Sequence, residues 1–319
     1  MKAWGFSPQQ YVLDSVANVE KYLKNKNMPP LKQRKASAPW PSNYEAETDT
    51  SPELDPEMAS YYQSQVGILR WCVEIGRTDI VTEVSTLASF SALPRQGHLD
   101  AVFHIFAYLK SKRNSTMIFD PTYPDIDLGN FKECDWKDFY GDVEEAIPPN
   151  APKPRGKNVI LRGFVDASHA DDKKTRRSRS GYFIYMNMAP VAWLSKKQAT
   201  IETSVFGAEF VAMKLVVEHC RSLRYKLRMM GVPIDGPTYI YGDNMSVIHN
   251  TSKPESTLKK KSLSICYHFI REAVAMGECL TGHIPSTENP ADIATKLIPG
   301  GMKRDYLVSK VLYDIADDH

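Results

Sequence analysis

The spacing of apolar residues predicts helices in the first third of the chain and a different pattern from about residue 158 onward. In residues 8–24, valines and a leucine recur every three or four positions, which predicts one amphipathic helix. Residues 58–112 repeat this spacing three times, with breaks at residues 76–77 and at Pro94. A small all-helical unit of three helices is therefore expected there.

From residue 158 short apolar runs that predict strands alternate with helical patterns. Three strands come first, followed by a long helix over about residues 203–230 and a strand at 238–242. Two helices, a short strand and a final helix complete the series. The order β-β-β-α-β-α-α-β-α predicts an α/β domain whose mixed sheet is flanked by helices.

Proline-rich stretches separate these patterns and mark the expected domain boundaries. Four parts are predicted: an N-terminal helix and Pro-rich linker (1–54), the helical unit (55–119), a Pro-rich connector (120–157) and the α/β domain (158–319).

Composition narrows the class of protein. The net charge of the 319 residues is only +2, but residues 157–230 carry 14 basic against 6 acidic residues, as expected of a segment that binds a polyanion. Five cysteines without a C-x-x-C pair indicate neither a disulfide framework nor a zinc site. No apolar run approaches the roughly 18 residues of a membrane span. A soluble intracellular protein without a membrane partner is expected.

Four carboxylates fall at the ends of predicted elements. Asp166 follows the first strand, Glu209 borders the apolar face of the long helix, Asp243 follows the strand "TYIYG", and Asp292 is the third residue of a helix that begins after "EN". Each acid also has a possible structural role instead of a chemical one. Acids are favoured at helix starts, and either Asp243 or Asn244 could cap the helix that follows.

Together the four acids suggest more than capping. Carboxylate oxygens are the ligands that Mg²⁺ prefers, and a pair of such ions can activate water and stabilise the leaving oxygen of a phosphodiester. Acids drawn from two strands and two helices of one α/β domain therefore predict a metal site.

The same motifs resemble a known family. The segments "VDASHADDKKTRRSRSGYFIY", "WLSKKQATIETSVFGAEFVA", "YIYGDNMSVI" and "GHIPSTENPADIATKLI" look like the ribonuclease H (RNase H) domain of copia-type LTR retrotransposon Pol polyproteins. Upstream, "YYQSQVGILRWCVEIG" and the helical patterns after it resemble the thumb and connection region that ends the reverse transcriptase. The resemblance covers roughly residues 55–319, and the helical unit would be a remnant of that region.

The resemblance implies an RNase H-like five-stranded mixed sheet flanked by helices, which cleaves the RNA strand of RNA–DNA hybrids with two Mg²⁺ ions; Mn²⁺ is a possible substitute. The implied metal ligands are Asp166, Glu209, Asp243 and Asp292. His283, expected in a loop, matches a histidine used for proton transfer or product release. The polymerase signature Tyr-x-Asp-Asp is absent from the sequence, so no polymerase activity is expected.

Basic and polar residues near the first and third strands of the α/β domain are expected to hold the hybrid. Basic side chains would contact phosphates, and three polar ones would reach sugar hydroxyls. The predicted nucleic-acid-binding residues are Ser168, Lys173, Lys174, Arg176, Arg177, Arg179, Lys196, Lys197, Gln198 and Asn244. Relatives commonly carry an acid at Ser168 and a glycine at Asp171, so the geometry of this loop departs from the family.

Other interpretations stay open at this point. The chain could be an inactive retroelement remnant that only binds nucleic acid or a partner. An integrase or transposase is less favoured because those enzymes order their acids Asp, Asp, Glu, whereas the glutamate here comes second. Further partners could include the rest of a Pol polyprotein, the location could be cytoplasmic or nuclear, and the oligomeric state is left undefined.

Overall fold

The structure, a computed structural model, describes residues 2–31 and 36–315. Residues 32–35 of the predicted linker and 316–319 of the predicted α/β domain lie outside these ranges. The strands are β1 Trp4–Phe6, β2 Ser115–Phe119, β3 Leu161–Ser168, β4 Arg179–Met186, β5 Ala189–Lys197, β6 Thr238–Gly242, β7 Cys279–His283 and β8 Tyr313–Asp314. The α-helices are α1 Gln9–Asn25, α2 Pro56–Glu74, α3 Val81–Ala88, α4 Gln96–Ser111, α5 Lys137–Tyr140, α6 Val205–Met229, α7 Met245–Ser252, α8 Ser264–Ala275 and α9 Met302–Ser309.

The chain forms two compact units. Of the described residues, the sheet unit comprises Phe119–Asp171 and Arg177–Thr295 together with residues 2–3. The helical unit comprises those of Trp4–Ile118, Asp172–Arg176 and residues 296–315. The Pro-rich connector therefore packs within the sheet unit, while the C-terminal residues return to the helical unit.

In the helical unit, α1 to α4 form at the positions that the apolar spacing predicts. Asp55 starts α2 as its N-cap, since its side chain accepts a hydrogen bond of 2.8 Å from the Met58 amide, and Pro56 follows at the first helical position. This unit also contains a small three-stranded sheet that the apolar spacing does not predict. Its strand order is β1-β2-β8, so it joins the two ends of the chain.

The sheet unit contains a five-stranded mixed sheet of order β5-β4-β3-β6-β7. Strand β3 pairs antiparallel with β4 and parallel with β6, and β6 pairs parallel with β7. Helices α6, α7 and α8 pack against this sheet and one another. The predicted fold class, a five-stranded mixed sheet flanked by helices, is confirmed.

Alternation along β3 separates the core from the candidate site. Val165 and Ala167 belong to the buried core cluster that includes residues of α6, and a methyl group added at Gly163 would lie 3.2 Å from Val216 of α6. Because successive side chains of a strand point to opposite faces, Asp166 lies on the face away from α6.

The connector is tied to α6 and α8 by arginine contacts. The guanidinium of Arg271, on α8, lies 4.7 Å from the ring centroid of Trp136 and 4.4 Å from that of Tyr267. Glu145 receives hydrogen bonds from Arg224 and Arg228 of α6. These contacts make the connector part of the sheet unit's core rather than a loose spacer. No helix in the described part of the chain is long and apolar enough to cross a membrane.

Candidate metal centre

Three of the four predicted acids meet at one edge of the sheet. Asp166 lies near the end of β3, Asp243 directly follows β6, and Asp292 lies in a short 3-10 segment, Pro290–Ala294, where a helix was predicted. Each acid offers a carboxylate oxygen within 4.8 Å of the other two. Since β3 and β6 run parallel, their carboxyl ends bring Asp166 and Asp243 to the same edge.

Asn244, not Asp243, caps the helix after β6. The Asn244 side-chain oxygen accepts hydrogen bonds from the Ser246 amide at 3.1 Å and the Val247 amide at 3.3 Å. This settles the alternative that the sequence left open and leaves Asp243 outside the cap. The same contact gives Asn244 a structural role besides its predicted role in binding sugar hydroxyls.

Asn289 joins the strand that carries Asp166 to the segment that carries Asp292. Its side-chain amide donates a 2.9 Å hydrogen bond to the Val165 carbonyl, and its side-chain oxygen accepts one of 3.1 Å from the Ala291 amide. Asn289 is fully buried, so water cannot replace either bond. Asn289 therefore helps to fix the positions of Asp166 and Asp292 relative to each other.

Gly181 lets the 3-10 segment approach the sheet. It faces Asp166 across the β3–β4 pair. A methyl group at this glycine would lie 2.7 Å from three atoms, the Ala294 Cβ, the Ala294 carbonyl oxygen and the Thr295 Cγ2. Only a glycine at this position allows such a close approach.

Hydroxyl groups contact two of the acids. Ser286 Oγ donates a 2.7 Å hydrogen bond to Asp243 Oδ2, and Thr295 Oγ1 donates to Asp166 Oδ2. Neither residue is among the predicted site residues. Thr295 follows Asp292 by three positions, which is a weak signal, and nothing in the sequence relates Ser286 to Asp243.

The charges and distances suit a divalent cation. At an effective dielectric constant of 20, two carboxylates 4.8 Å apart repel each other by roughly 3 kcal/mol. Asp166 and Asp292 are 1% and 0% exposed, so water screens them little. Two oxygens bound to one Mg²⁺ at about 2.1 Å lie about 3 to 4 Å apart. Small side-chain rotations would therefore allow these acids to share a cation, and the donor set fits Mg²⁺.

Glu209 lies outside this group of three acids. It is the fifth residue of α6 and only 7% exposed. Gln198 donates hydrogen bonds of 2.9 Å to the Ala208 carbonyl and 2.8 Å to Ser180 Oγ, which ties the start of α6 to β4 beside Gly181. Glu209 therefore lies in the part of α6 that is tied to the end of the sheet where Asp166 lies. Its role as a metal ligand stays a prediction.

His283 ends strand β7 rather than lying in a loop as predicted. It faces Gly242 in the parallel β6–β7 pair. Its backbone amide donates a 3.0 Å hydrogen bond to Asn130 Oδ1, and its carbonyl accepts one of 2.5 Å from Asn130 Nδ2. The strand register thus places His283 next to Gly242, which directly precedes Asp243.

Of the predicted nucleic-acid-binding residues in the sheet unit, two are in the interior. Arg179 and Gln198 are 3% and 4% exposed, and Arg179 donates a 3.2 Å hydrogen bond to Ser195 Oγ. The structure argues against a surface role for both, because both side chains are buried and donate hydrogen bonds inside the sheet unit, Arg179 to β5 and Gln198 to β4 and α6. The remaining residues reach the surface: Arg177 and Lys196 are exposed, and Ser168, Lys197 and Asn244 are half-buried.

Lys173, Lys174 and Arg176 are exposed and belong to the helical unit. Lys173 forms an ion pair with Glu45 of the same unit. The backbone around them is fixed by Asp172, whose Oδ1 accepts hydrogen bonds from the Lys174 and Thr175 amides at 3.0 and 2.7 Å. Their contact with nucleic acid stays a prediction.

A five-stranded mixed sheet with clustered carboxylates at one edge defines the chain as an α/β protein with a candidate cation site. Among curated proteins, it is similar to a retrovirus-related Pol polyprotein from transposon RE1 of Arabidopsis thaliana. The two are 25% identical over 290 residues, which cover 91% of this chain and 17% of the relative. The corresponding protein from transposon TNT 1-94 of Nicotiana tabacum is 26% identical over 75% of this chain and 15% of its own length.

The predicted resemblance to transposon Pol polyproteins is confirmed, and the chain spans about one sixth of the length of these relatives. No protein-family model matches the chain. Among solved structures, an LC11-RNase H1 in complex with an RNA/DNA hybrid is 16% identical, covers 42% of this chain and 93% of its own, and has a TM-score of 0.35. An RNase H1 from Halobacterium salinarum NRC-1 is 12% identical, with a TM-score of 0.31, and covers 40% of this chain and 86% of its own.

Proposed function

We propose that the chain is the C-terminal part of a copia-type retrotransposon Pol polyprotein and acts as a ribonuclease H. In this role it hydrolyses the RNA strand of RNA–DNA hybrids at a two-Mg²⁺ site. The observation that carries the proposal is the meeting of Asp166, Asp243 and Asp292 within 4.8 Å at the edge of the sheet. The similarity to retrovirus-related Pol polyproteins of transposons, which covers 91% of the chain for one of them, supports it.

The three acids would hold the cations, with Glu209 as the fourth ligand. Bound Mg²⁺ supplies an activated water and stabilises the charge on the leaving oxygen of the phosphodiester. The buried Asp166 and Asp292 form the fixed side of the site, and the half-buried Asp243 forms the side open to solvent. His283 would transfer a proton near the scissile phosphate, and Arg177, Lys196 and Lys197 would contact the phosphates of the hybrid.

The substitution Asp243→Asn tests this proposal. It keeps the size of the side chain and its capacity to accept a hydrogen bond from Ser286, but it removes the charge that a cation requires. We expect cleavage of a labelled RNA strand annealed to DNA to fall on the order of 100-fold or more in Mg²⁺. Products would be followed on a denaturing gel, with and without EDTA.

Asp235→Asn is the matched control. The exposed Asp235 precedes the first residue of β6, whereas Asp243 follows the last residue of that strand. Its cleavage rate should equal that of the unchanged protein. An unchanged chain that cleaves no hybrid, or an Asp243→Asn variant as active as its parent, would refute the ribonuclease proposal. The first result, with hybrid binding retained, would favour the alternative of an inactive nucleic-acid-binding remnant.

A further inference from the structure

We infer that Thr295 and Ser286 are positioning residues, whose hydroxyls orient Asp166 and Asp243 for cation binding. The inference rests on the proposed metal-dependent function but concerns residues to which neither the motifs nor the relatives assign a role. Its basis is the pair of hydroxyl–carboxylate hydrogen bonds at the edge of the sheet.

Thr295 links two acids at once. Its hydroxyl donates to Asp166 Oδ2, and its backbone amide donates a 3.2 Å hydrogen bond to the Asp292 carbonyl. Thr295 is fully buried and Asp166 is 1% exposed, so the hydroxyl hydrogen takes the place that water holds at an exposed carboxylate. The position of Asp166 relative to the segment that carries Asp292 is therefore set in part by one side chain.

Ser286 plays the matching part for Asp243 from the loop after β7. The loop begins beside the acid, because the Ile284 amide donates a 3.0 Å hydrogen bond to the Gly242 carbonyl. Ser286 Oγ then reaches Asp243 Oδ2 at 2.7 Å. Since Ser286 is exposed, water can partly replace its hydroxyl, and its contribution should be smaller than that of Thr295.

A carboxylate that accepts a hydrogen bond on one oxygen has less freedom to rotate. Its other lone pairs are then directed before the cation arrives, and the cost of ordering the ligand is lower. Removing such supporting partners typically weakens metal affinity by about 10- to 100-fold.

The test compares Thr295→Val, which keeps the branched shape and loses the hydroxyl, with Thr295→Ser, which keeps the hydroxyl. Mg²⁺ binding to the full chain would be measured by isothermal titration calorimetry with MgCl₂, and folding by thermal unfolding without metal. We expect Thr295→Val to weaken Mg²⁺ binding about 10-fold or more, and Thr295→Ser to stay within about twofold of the unchanged protein. Ser286→Ala should weaken binding by roughly two- to fivefold, because water can replace its hydroxyl.

Thr281→Val is the matched control. Thr281 is also buried in the sheet unit, and its hydroxyl lies 2.8 Å from that of Thr251. This variant loses a buried hydroxyl away from the acids and should bind Mg²⁺ as the unchanged protein does. If Thr295→Val folds and binds Mg²⁺ as tightly as Thr281→Val, or if Thr295→Ser fails to restore binding, the inference is overturned.

The inference and the proposed function can fail separately. Weaker Mg²⁺ binding in Thr295→Val, in a protein that cleaves no hybrid, would uphold the positioning role and reject the ribonuclease. An unchanged chain that binds no Mg²⁺ would reject the positioning role and the metal site together. If Thr295→Val does not fold, Ser286→Ala still tests the inference, because the side chain of Ser286 is exposed and its loss should not disturb the core. Unchanged Mg²⁺ binding in Ser286→Ala would then overturn the inference.

Discussion

At Gly181 a single methyl group decides whether the acids can meet. The Cβ of an alanine there would lie 2.7 Å from both the Cβ and the carbonyl oxygen of Ala294, and backbone cannot move aside as a flexible side chain can. We expect Gly181→Ala to lower the free energy of unfolding by about 1–3 kcal/mol through overpacking. It should also weaken Mg²⁺ binding, because the segment that carries Asp292 is pushed away from Asp166. Thermal unfolding and calorimetric titration would measure the two effects.

Gly67→Ala provides the control for this prediction. No heavy atom lies within 4 Å of the added methyl group, and Gly67 is inside α2. Alanine there should stabilise the protein by up to about 1 kcal/mol. A Gly181→Ala variant as stable as Gly67→Ala would show that the 3-10 segment does not need its close approach to β4.

At the residue scale, the sequence predicts the acids of the cluster better than the hydroxyl groups that form hydrogen bonds with them. Asp166, Asp243 and Asp292 could be named because each follows or begins an element that apolar spacing reveals. The hydroxyl of Thr295 could not be assigned to Asp166, since the two are 129 positions apart and only the folded sheet brings them together. Local sequence does not reveal burial, and the surface role predicted for Arg179 and Gln198 is contradicted by their exposed fractions of 3% and 4%.

At the scale of elements, Glu145 fastens the connector to α6. Burial would raise the pKa of its carboxyl, but the guanidinium groups of Arg224 and Arg228 outweigh that effect and lower the pKa to about 2. A carboxyl with a lowered pKa in the folded state stabilises the protein above its unfolded value of 4.5, and the contribution is lost as the pH falls toward 2.

We expect Glu145→Gln to lower the free energy of unfolding by about 2–3 kcal/mol at pH 7, because the buried Arg224 also loses its negatively charged partner. The difference from the unchanged protein should shrink between about pH 4.5 and pH 2, where the glutamate itself becomes neutral. Urea unfolding at a series of pH values would measure this difference.

Glu218→Gln is the control, on α6, the helix that carries Arg224 and Arg228. Glu218 pairs with Lys214 at the surface, where its side chain is 54% exposed. Surface pairs of this kind contribute only about 0.3–0.5 kcal/mol. Equal destabilisation by the two substitutions, at every pH, would show that the connector is not held by the ion pairs of Glu145 with Arg224 and Arg228.

The elements themselves were largely predictable where their patterns were long. Helices α1, α2, α4 and α6 and strands β3 to β7 follow apolar periods that local sequence displays. The sheet of β1, β2 and β8 was missed because its strands have 3, 5 and 2 residues and lie far apart in the chain. The short 3-10 segment after Asn289 has the N-cap and proline of a helix start, but it ends after five residues.

At the scale of the whole molecule, the chain leaves the helical unit after Ile118, adds the short segment Asp172–Arg176 to it, and returns to it again at Lys296. Arg304 of α9 anchors the returning segment. Its side chain is 1% exposed, donates a 3.3 Å hydrogen bond to Glu83 Oε1 and donates another to the Asp79 carbonyl. Removing one partner of a buried ion pair typically costs about 3–5 kcal/mol.

Cleavage of the chain between the two parts of the helical unit would test whether Arg304 holds the returning segment in place. With a protease site inserted at residues 121–123, cleavage produces an N-terminal piece and a C-terminal piece that includes α9. We expect the two pieces to elute together in size-exclusion chromatography, because α9 stays packed in the helical unit. Arg304→Leu should lower the temperature at which they separate, whereas Lys303→Leu, at the exposed neighbour, should not. Equal behaviour of the two variants would contradict the anchoring role of Arg304.

The return of the chain bears on how a fragment should be cut for expression or crystallisation. A fragment started at residue 158, where the strand pattern begins, would lose Trp136 from the core of the sheet unit and Glu145 from its ion pairs with α6. It would also carry α9 without Glu83 and Asp79, two of the residues that accept hydrogen bonds from Arg304. Residues 119–295 keep nearly the whole sheet unit together, and they retain all three clustered acids along with both hydroxyls that contact them.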